Sequence, residues 1–150
     1  AMSSAASDVY KRQVERVTEV MNSATTGGIT VSVETAYIEK DSDPDNQYFV
    51  WAYRIKIENN SVDRVQLVSR HWMITDAQGR QQEVRGSGVV GEQPVLAPGA
   101  SFSYSSGTPL QTSSGFMRGT YAMRADDGRE FDIEIPAFSL DSPHDQAQLH

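Results

Sequence analysis

The sequence predicts an all-β domain in which two antiparallel sheets pack as a sandwich. Apolar and polar residues alternate with a period of two, which is typical of strands with one buried face. Short turn-forming segments, rather than helical patterns, separate these runs, as in other two-sheet sandwiches. A chain of 150 residues is long enough for one such domain with its own core.

The N-terminal residues carry a different pattern, and we predict a short amphipathic helix within residues 3–27. Ser7 is placed to cap a helix that begins at Asp8. The apolar residues that fall on one face of this helix are Tyr10, Val14, Val17 and Met21. Because so short a helix is not stable alone, we expect it to pack on the β domain, on a second copy of the chain or on a partner.

Seven runs are predicted to be the strands of the sandwich, six of them from alternation and residues 80–85 from the hairpin turn at residues 76–79 before them. They cover residues 29–37, 49–57, 65–74, 80–85, 102–106, 117–123 and 131–135. Trp51, in the second run, is predicted to be the largest side chain of the core. In the third run the alternation changes phase at residues 69–71, which predicts a β-bulge.

The segments between the strands read as turns. Residues 41–46 are acidic, but they lack the glycine and the final glutamate of a calcium-binding loop, so we predict a solvated loop. Residues 107–109 are predicted to break the fifth strand, and Pro136 to end the seventh. The predicted organisation is an extension at residues 1–27, the sandwich at residues 28–140 and a flexible tail at residues 141–150.

Composition excludes several classes of function. The net charge of −7 argues against direct binding of nucleic acid. The absence of cysteine excludes disulfides, a thiol nucleophile and thiolate metal ligands. No apolar run approaches the roughly 18 residues that span a bilayer, and no apolar signal core is visible, so we expect a cytoplasmic protein without membrane insertion.

A glycine pattern, Gly86-x-Gly88-x-x-Gly91, is the least ordinary feature of the sequence. In a dinucleotide site such glycines follow a strand and open a helix, whereas Glu92-Gln93-Pro94 follows them here. We therefore favour a structural interpretation, in which the glycines allow positive φ angles or close strand contact. The alternative is an anion site to which Arg70 and Arg85 contribute.

His71 is the one histidine inside the predicted sandwich. No nucleophile elbow accompanies it, and a metal site needs more ligands than one histidine. We therefore predict no catalytic residue, no metal site and no cofactor. Because arginine and tryptophan often anchor interfaces, a recognition patch is predicted instead. Its residues are Arg70, His71, Trp72 and Arg85.

Residues 28–140 closely resemble the ApaG family. The motifs that carry the resemblance are Ser69-Arg70-His71-Trp72, Val84-Arg85-Gly86-x-Gly88-Val89-Val90-Gly91-Glu92-Gln93-Pro94 and Ile135-Pro136-x-Phe138-Ser139-Leu140. The predicted N-terminal helix lies outside them. The resemblance implies an immunoglobulin-like or fibronectin type III-like sandwich and no established enzyme activity. It also implies a link, in bacterial relatives, with cobalt resistance and magnesium efflux. Similar eukaryotic domains occur in F-box proteins and in a DNA-polymerase-interacting protein.

Two functional hypotheses follow. The first is a non-catalytic protein-interaction module with an unidentified protein partner, a homodimer included. The alternative is a small-ligand protein that binds a divalent cation, or a nucleotide or pyrophosphate, at residues 86–91.

Overall fold

The computed structural model describes residues 22–145, which form nine strands in two antiparallel sheets. The first sheet has the order β1-β2-β3-β7, with strands Asn22–Thr26, Ile29–Tyr37, Phe49–Asn59 and Ser101–Leu110. The second has the order β5-β4-β8-β9, with strands Gln81–Ser87, Val65–Asp76, Gly115–Ala125 and Glu130–Leu140. The two-residue strand β6, Val95–Leu96, pairs with the start of β4. The predicted all-β fold of two antiparallel sheets is confirmed.

The seven predicted strands all occur, as β2 to β5 and β7 to β9. The alternating apolar side chains of all of them except β5 meet between the sheets, and Trp51 is only 1% exposed there. The predicted bulge in β4 is also present, because the register with β8 shifts between Leu67 and Ser69. The shift keeps Leu67 and Trp72 on the same, inward face although they are five positions apart.

Two predicted strand ends are wrong, and proline is the reason in both. Strand β7 continues through Pro109, which is tolerated because β7 pairs with a described strand, β3, on one side only. Strand β9 continues through Pro136. Its register with β8 shifts at this point, so that two residues of β9 lie opposite Arg118. Pro136 therefore sits in a bulge, where its missing N–H breaks no regular ladder.

Residues 22–26 are a strand, β1, rather than the end of a helix. β1 turns into β2 through Gly27 and Gly28, both with positive φ. The predicted helix therefore does not extend past residue 21, and residues 8–21 lie outside the described part of the chain. The sheet itself begins at Asn22, six positions before the predicted domain start.

The described part of the predicted tail is packed rather than frayed. The indole Nε1 of Trp51 donates a hydrogen bond of 2.8 Å to the carbonyl of Asp141. Ser142 is 5% exposed and donates one of 2.6 Å to the carbonyl of Ser113. His144 lies against the ring of Tyr37, with 5.8 Å between centroids. Residues 141–145 therefore close one end of the sandwich.

The two long sides of the sandwich differ. On one side β1 and β9 are joined by hydrogen bonds, from Asn22 to the carbonyl of Ala137 at 3.1 Å and from the amide of Glu134 to Thr26 at 3.2 Å. On the other side lie β5 and β7, each at the end of its sheet. We call this the open side. No helix in residues 22–145 is long and apolar enough to cross a membrane.

The first prediction concerns the closest approach of two central strands. A Cβ on Gly119 of β8 would overlap the carbonyl oxygen of His71 on β4, and this backbone is held on both sides. Gly119→Ala is therefore expected to lower the free energy of unfolding by about 1–3 kcal/mol, as overpacking does. Urea denaturation measures this. Ser103→Ala, at an exposed position of β7, is the control, and equal midpoints for the two variants would contradict the prediction.

Candidate functional site

The glycine pattern lies in the connection from β5 to β6. Val89 and Glu92 exchange backbone hydrogen bonds of 2.8 and 2.9 Å, which closes a tight turn. The two residues between them, Val90 and Gly91, have φ of 42° and 81°. Two consecutive positive φ angles are common in two-residue hairpin turns, but a β-branched residue is rarely found in this conformation. Val90 is held there because its side chain packs against the core.

Each glycine of the pattern has a structural role. A Cβ on Gly86 would lie 2.7 Å from Nη2 of Arg70, so the missing side chain makes room for the guanidinium. Gly88 has φ of 60°, and a Cβ there would overlap the carbonyl oxygen of Glu92. Gly91 holds the second position of the turn. The strand that follows is β6, so no helix N-terminus faces these glycines.

The same connection fits the bulge in β4. The carbonyl of Val68, at the bulge, accepts a hydrogen bond of 2.9 Å from the amide of Gly88 and another of 2.9 Å from the side chain of Gln93. The amide of Leu67 donates one of 3.0 Å to the carbonyl of Pro94. The two irregular stretches of the sequence, the glycine-rich connection and the bulge in β4, are therefore hydrogen-bonded to each other.

Arg70 lies where this connection meets the open side. Its Nη1 donates to the carbonyls of Ser87 and Gly88 at 3.0 and 2.8 Å. No carboxylate of residues 22–145 forms an ion pair with it. The guanidinium thus fixes the connection to β4, and its positive charge is not paired with any acidic side chain in the described part of the chain.

Three buried tyrosines lie beside Arg70. The hydroxyls of Tyr104 and Tyr121 share a short hydrogen bond. Tyr53 is hydrogen-bonded to Ser106. Burial raises the pKa of Tyr53, Tyr104 and Tyr121, and the charge of Arg70 opposes this rise. The three phenols are therefore neutral donors and acceptors at neutral pH.

The predicted recognition patch is divided between two faces of the second sheet. Trp72 is 3% exposed, and its ring meets that of Tyr53 at 5.5 Å, so it belongs to the core. Arg70 faces inward as well. His71 and Arg85 point outward, as their alternation with these residues requires. The strand pattern itself was the signal that could have separated the four residues.

On the outer face, His71 and Arg85 share one carboxylate. His71 Nε2 lies 2.6 Å from Glu83 Oε1, and Arg85 Nη2 lies 2.9 Å from the same oxygen. The hydrogen bonds from His71 and Arg85 hold the pKa of Glu83 below its usual value. Within residues 22–145, no group of three or more His, Asp or Glu side chains is arranged to hold a metal ion.

A groove follows the open side between β5 and β7, and we call it the open-side groove. Its wide end has a volume of about 430 Å³ and is lined by Tyr48, Ile74, Pro109 and Leu110, with the ion pair of Asp76 and Arg80 among its lining residues. Its middle part, about 190 Å³, is lined by residues that include Arg70, Trp72, Val84 and Thr108. It ends in a space of about 20 Å³ under Val89 and Val90. Neighbouring parts share lining residues, so the three spaces adjoin one another along the open side.

The groove's wide end was missed at the level of sequence. Tyr48 and Pro109 fall where the pattern predicts loops or strand breaks, and only the pairing of distant strands brings them together. The ion pair there is well formed, at 2.6 Å. The surroundings of Asp76 desolvate it, but the hydrogen bonds from Arg80 and Gln78 outweigh this and lower the pKa of Asp76.

These features define a class of protein: a two-sheet antiparallel sandwich with a glycine-rich turn and a groove along one side. The family model of the ApaG domain matches residues 39–125. Protein ApaG of Brucella suis biovar 1 (strain 1330) is 61% identical over 130 residues, which cover 87% of this chain and 100% of that protein. Protein ApaG of Paramagnetospirillum magneticum is 58% identical over 130 residues, with the same coverage.

A solved structure agrees with these relatives. The crystal structure of a Bordetella pertussis protein described as ApaA is 46% identical and superposes with a TM-score of 0.75, over 85% of this chain and 100% of that one. The chain belongs to the ApaG family, and the resemblance found in the sequence is confirmed.

The second prediction concerns the tyrosine pair. Tyr104→Phe or Tyr121→Phe alone leaves a buried hydroxyl without its partner, which is expected to cost about 1–3 kcal/mol. The double variant leaves neither hydroxyl, so its loss of stability should be smaller than the sum of the two. Urea denaturation of the four proteins measures this coupling. Tyr48→Phe, at a tyrosine 47% exposed, is the control. Additive losses would show that the hydroxyls do not interact.

The third prediction follows from the raised pKa values of these tyrosines. Folding holds their protons more tightly than the unfolded chain does, so their contribution is complete below about pH 10 and is lost as the pH rises further. The free energy of unfolding should therefore fall above about pH 10, with up to about 1.4 kcal/mol per pH unit from each tyrosine. The double Phe variant should show a shallower fall. Parallel curves for both proteins would contradict the assignment.

Proposed function

We propose that this protein is a non-catalytic protein-interaction module that binds its partner at the open-side groove. The observation that carries the proposal is the edge strand β5, which pairs only with β4 among the described strands and forms one wall of the groove. Extended segments of partner proteins add to such edges, where main-chain hydrogen bonds give affinity and side-chain pockets give specificity.

The lining of the groove suits this role. Tyr48 is 47% exposed beside Pro109 and Leu110, which gives the wide end an apolar floor with an aromatic rim. Tyrosine and arginine are enriched among residues that dominate binding energy at interfaces. Arg70 supplies the second of these types in the middle part of the groove.

The patch predicted from the sequence takes a revised form in this proposal. Arg70 contacts the partner inside the groove, and Trp72 supports the groove from the core. His71 and Arg85, with Glu83, lie on the outer face beside β5 and form a charged rim. Rim charges act mainly on the rate of association. We propose that the link with cation efflux, which the family resemblance implies, acts through the partner.

The fourth prediction tests the groove. Tyr48→Ala combined with Gln82→Arg alters two exposed lining residues without opening the core. The full-length variant, tagged and purified from the cells that naturally produce the protein, is expected to recover at least about tenfold less of the specifically bound partner than wild type does. This corresponds to a loss of about 1.4 kcal/mol or more in binding free energy. Quantitative mass spectrometry measures the recovery.

The matched control is Phe116→Ala, which removes a 43% exposed aromatic side chain of β8 that points to the outer face of the second sheet and does not line the groove. It should retain the partners that the wild-type chain binds. A thermal melt establishes that the variants are folded. If the groove variant and the control recover the same proteins as wild type, the groove is not the binding surface.

A further inference from the structure

The open-side groove has a direction. The volume of its successive parts falls from about 430 Å³ at Tyr48 through about 190 Å³ beside Arg70 to about 20 Å³ under Val90. The last space has room for little more than a water molecule or one small group. Val89 is 1% exposed and Val90 packs against the core, so the turn covers this end of the groove and a chain that enters at the wide end stops there.

The charges along the groove are also unequal. Its lining holds Asp76 and Arg80, which neutralise each other at 2.6 Å, and Arg70. Arg70 uses Nη1 for two backbone carbonyls, and no hydrogen bond from its Nε or Nη2 to another described residue is formed. A partly buried cation is stabilised by an anion. The narrow end of the groove thus presents one unneutralised guanidinium.

We propose that the open-side groove binds the C-terminal segment of a partner protein as an extended strand beside β5, with the terminal carboxylate on Arg70. This inference rests on the function proposed above and names the part of the partner that is bound. A blocked end requires a chain terminus, and a guanidinium selects the carboxylate over the ammonium group. Guanidinium and carboxylate form strong paired hydrogen bonds.

The strand directions fix the orientation of the segment. β5 runs from Gln82 at the wide end to Gly86 at Arg70. β7 runs the opposite way, from Ser106 near Arg70 to Pro109 at the wide end. A segment that ends at Arg70 therefore lies parallel to β5. From Gln82 to Gly86 a strand spans about 13 Å, so the last four or five residues of the partner fill the groove.

The hydroxyl groups near Arg70 complete the receptor. Ser106 and Thr108 of β7 and the phenol of Tyr53 lie in the lining of the same part of the groove. Tyr53 and Ser106 share one hydrogen bond, so one of their two hydroxyl protons and that of Thr108 can be donated to a carboxylate oxygen. Gly86 contributes by its lack of a side chain, because a Cβ there would displace the guanidinium.

The test compares three libraries of N-acetylated hexapeptides on the full, unmodified chain. The first carries a free terminal carboxylate, the second a terminal carboxamide, and the third a carboxamide with one fixed internal glutamate. Bound peptides are identified by mass spectrometry, and the tightest are titrated while backbone amide NMR shifts are followed. We expect at least tenfold enrichment of the first library over both others, with shifts along β5 and at Arg70.

Variants locate the carboxylate. Arg70→Gln should lose the tenfold preference for the free acid, and Arg70→Lys should keep part of it. Arg124→Gln, at an exposed arginine of β8 that is paired with Glu130 and does not line the groove, should keep all of it. Because the comparison of acid with amide needs no substitution, it decides the question even if a change at Arg70 unfolds the chain.

The remaining outcomes overturn the inference in distinct ways. If the free-acid and carboxamide libraries bind equally in the groove, the terminal carboxylate is not recognised, whereas the proposed function still holds. If the library with an internal glutamate binds as well as the free-acid library, Arg70 recognises an acidic side chain rather than a chain terminus. If no library binds while the groove variant still loses its cellular partners, the groove receives a folded surface rather than a chain end. If that variant loses no partners either, the proposed function fails as well.

Discussion

The bonds from Arg70 to the carbonyls of Ser87 and Gly88 hold the distinctive part of this molecule together. They draw the end of β5 over the interior, which is possible only because Gly86 has no side chain. Gly88 then turns the chain so that its amide reaches the bulge at Val68. The strained φ of Val90 follows, since the turn must close in the space that these contacts leave. The unusual residues Gly86, Gly88 and Val90 are thus all required by the hydrogen bonds that Arg70 makes to this connection.

Most of the fold was predictable because alternation reports directly on burial. Each of the seven strands except β5 has one apolar face, and even the bulge in β4 appears as a change of phase. β1 escaped prediction because Asn22–Thr26 has no large apolar residue and is stabilised by its neighbours, including the bond from Asn22 to Ala137. Pro109 and Pro136 misled for a related reason. Proline signals a strand end unless the strand lies at an edge or bulges, and sequence alone does not locate edges.

The site was less predictable because it depends on which strands end as neighbours. Sequence proximity grouped Arg70 with His71, yet the alternation of the strand sends their side chains to opposite faces. The chemistry of each residue type was a weaker guide than its position on one or the other face of the strand. The groove joins Tyr48, before β3, to Leu110, at the end of β7, and only the pairing of β3 with β7 makes them neighbours. Such long-range juxtaposition leaves no local pattern to detect.

An unpaired sheet edge invites aggregation, and the structure limits this risk without blocking the edge. β1 and β9 lie side by side and are joined by two hydrogen bonds, which the carbonyl of Ala137 and the hydroxyl of Thr26 accept. β5 instead carries Glu83 and Arg85 outward, and charges on an edge strand discourage pairing with another copy. The net charge of −7 adds repulsion between copies at long range, but it is screened beyond about 8 Å at physiological salt. A ligand within that distance of Arg70 therefore interacts mainly with the charge of Arg70 rather than with the net charge of the protein. The charges on β5 discourage pairing with another copy of the chain, while Arg70 offers a local positive charge beside the same edge. This combination suits an extended ligand that carries a negative charge.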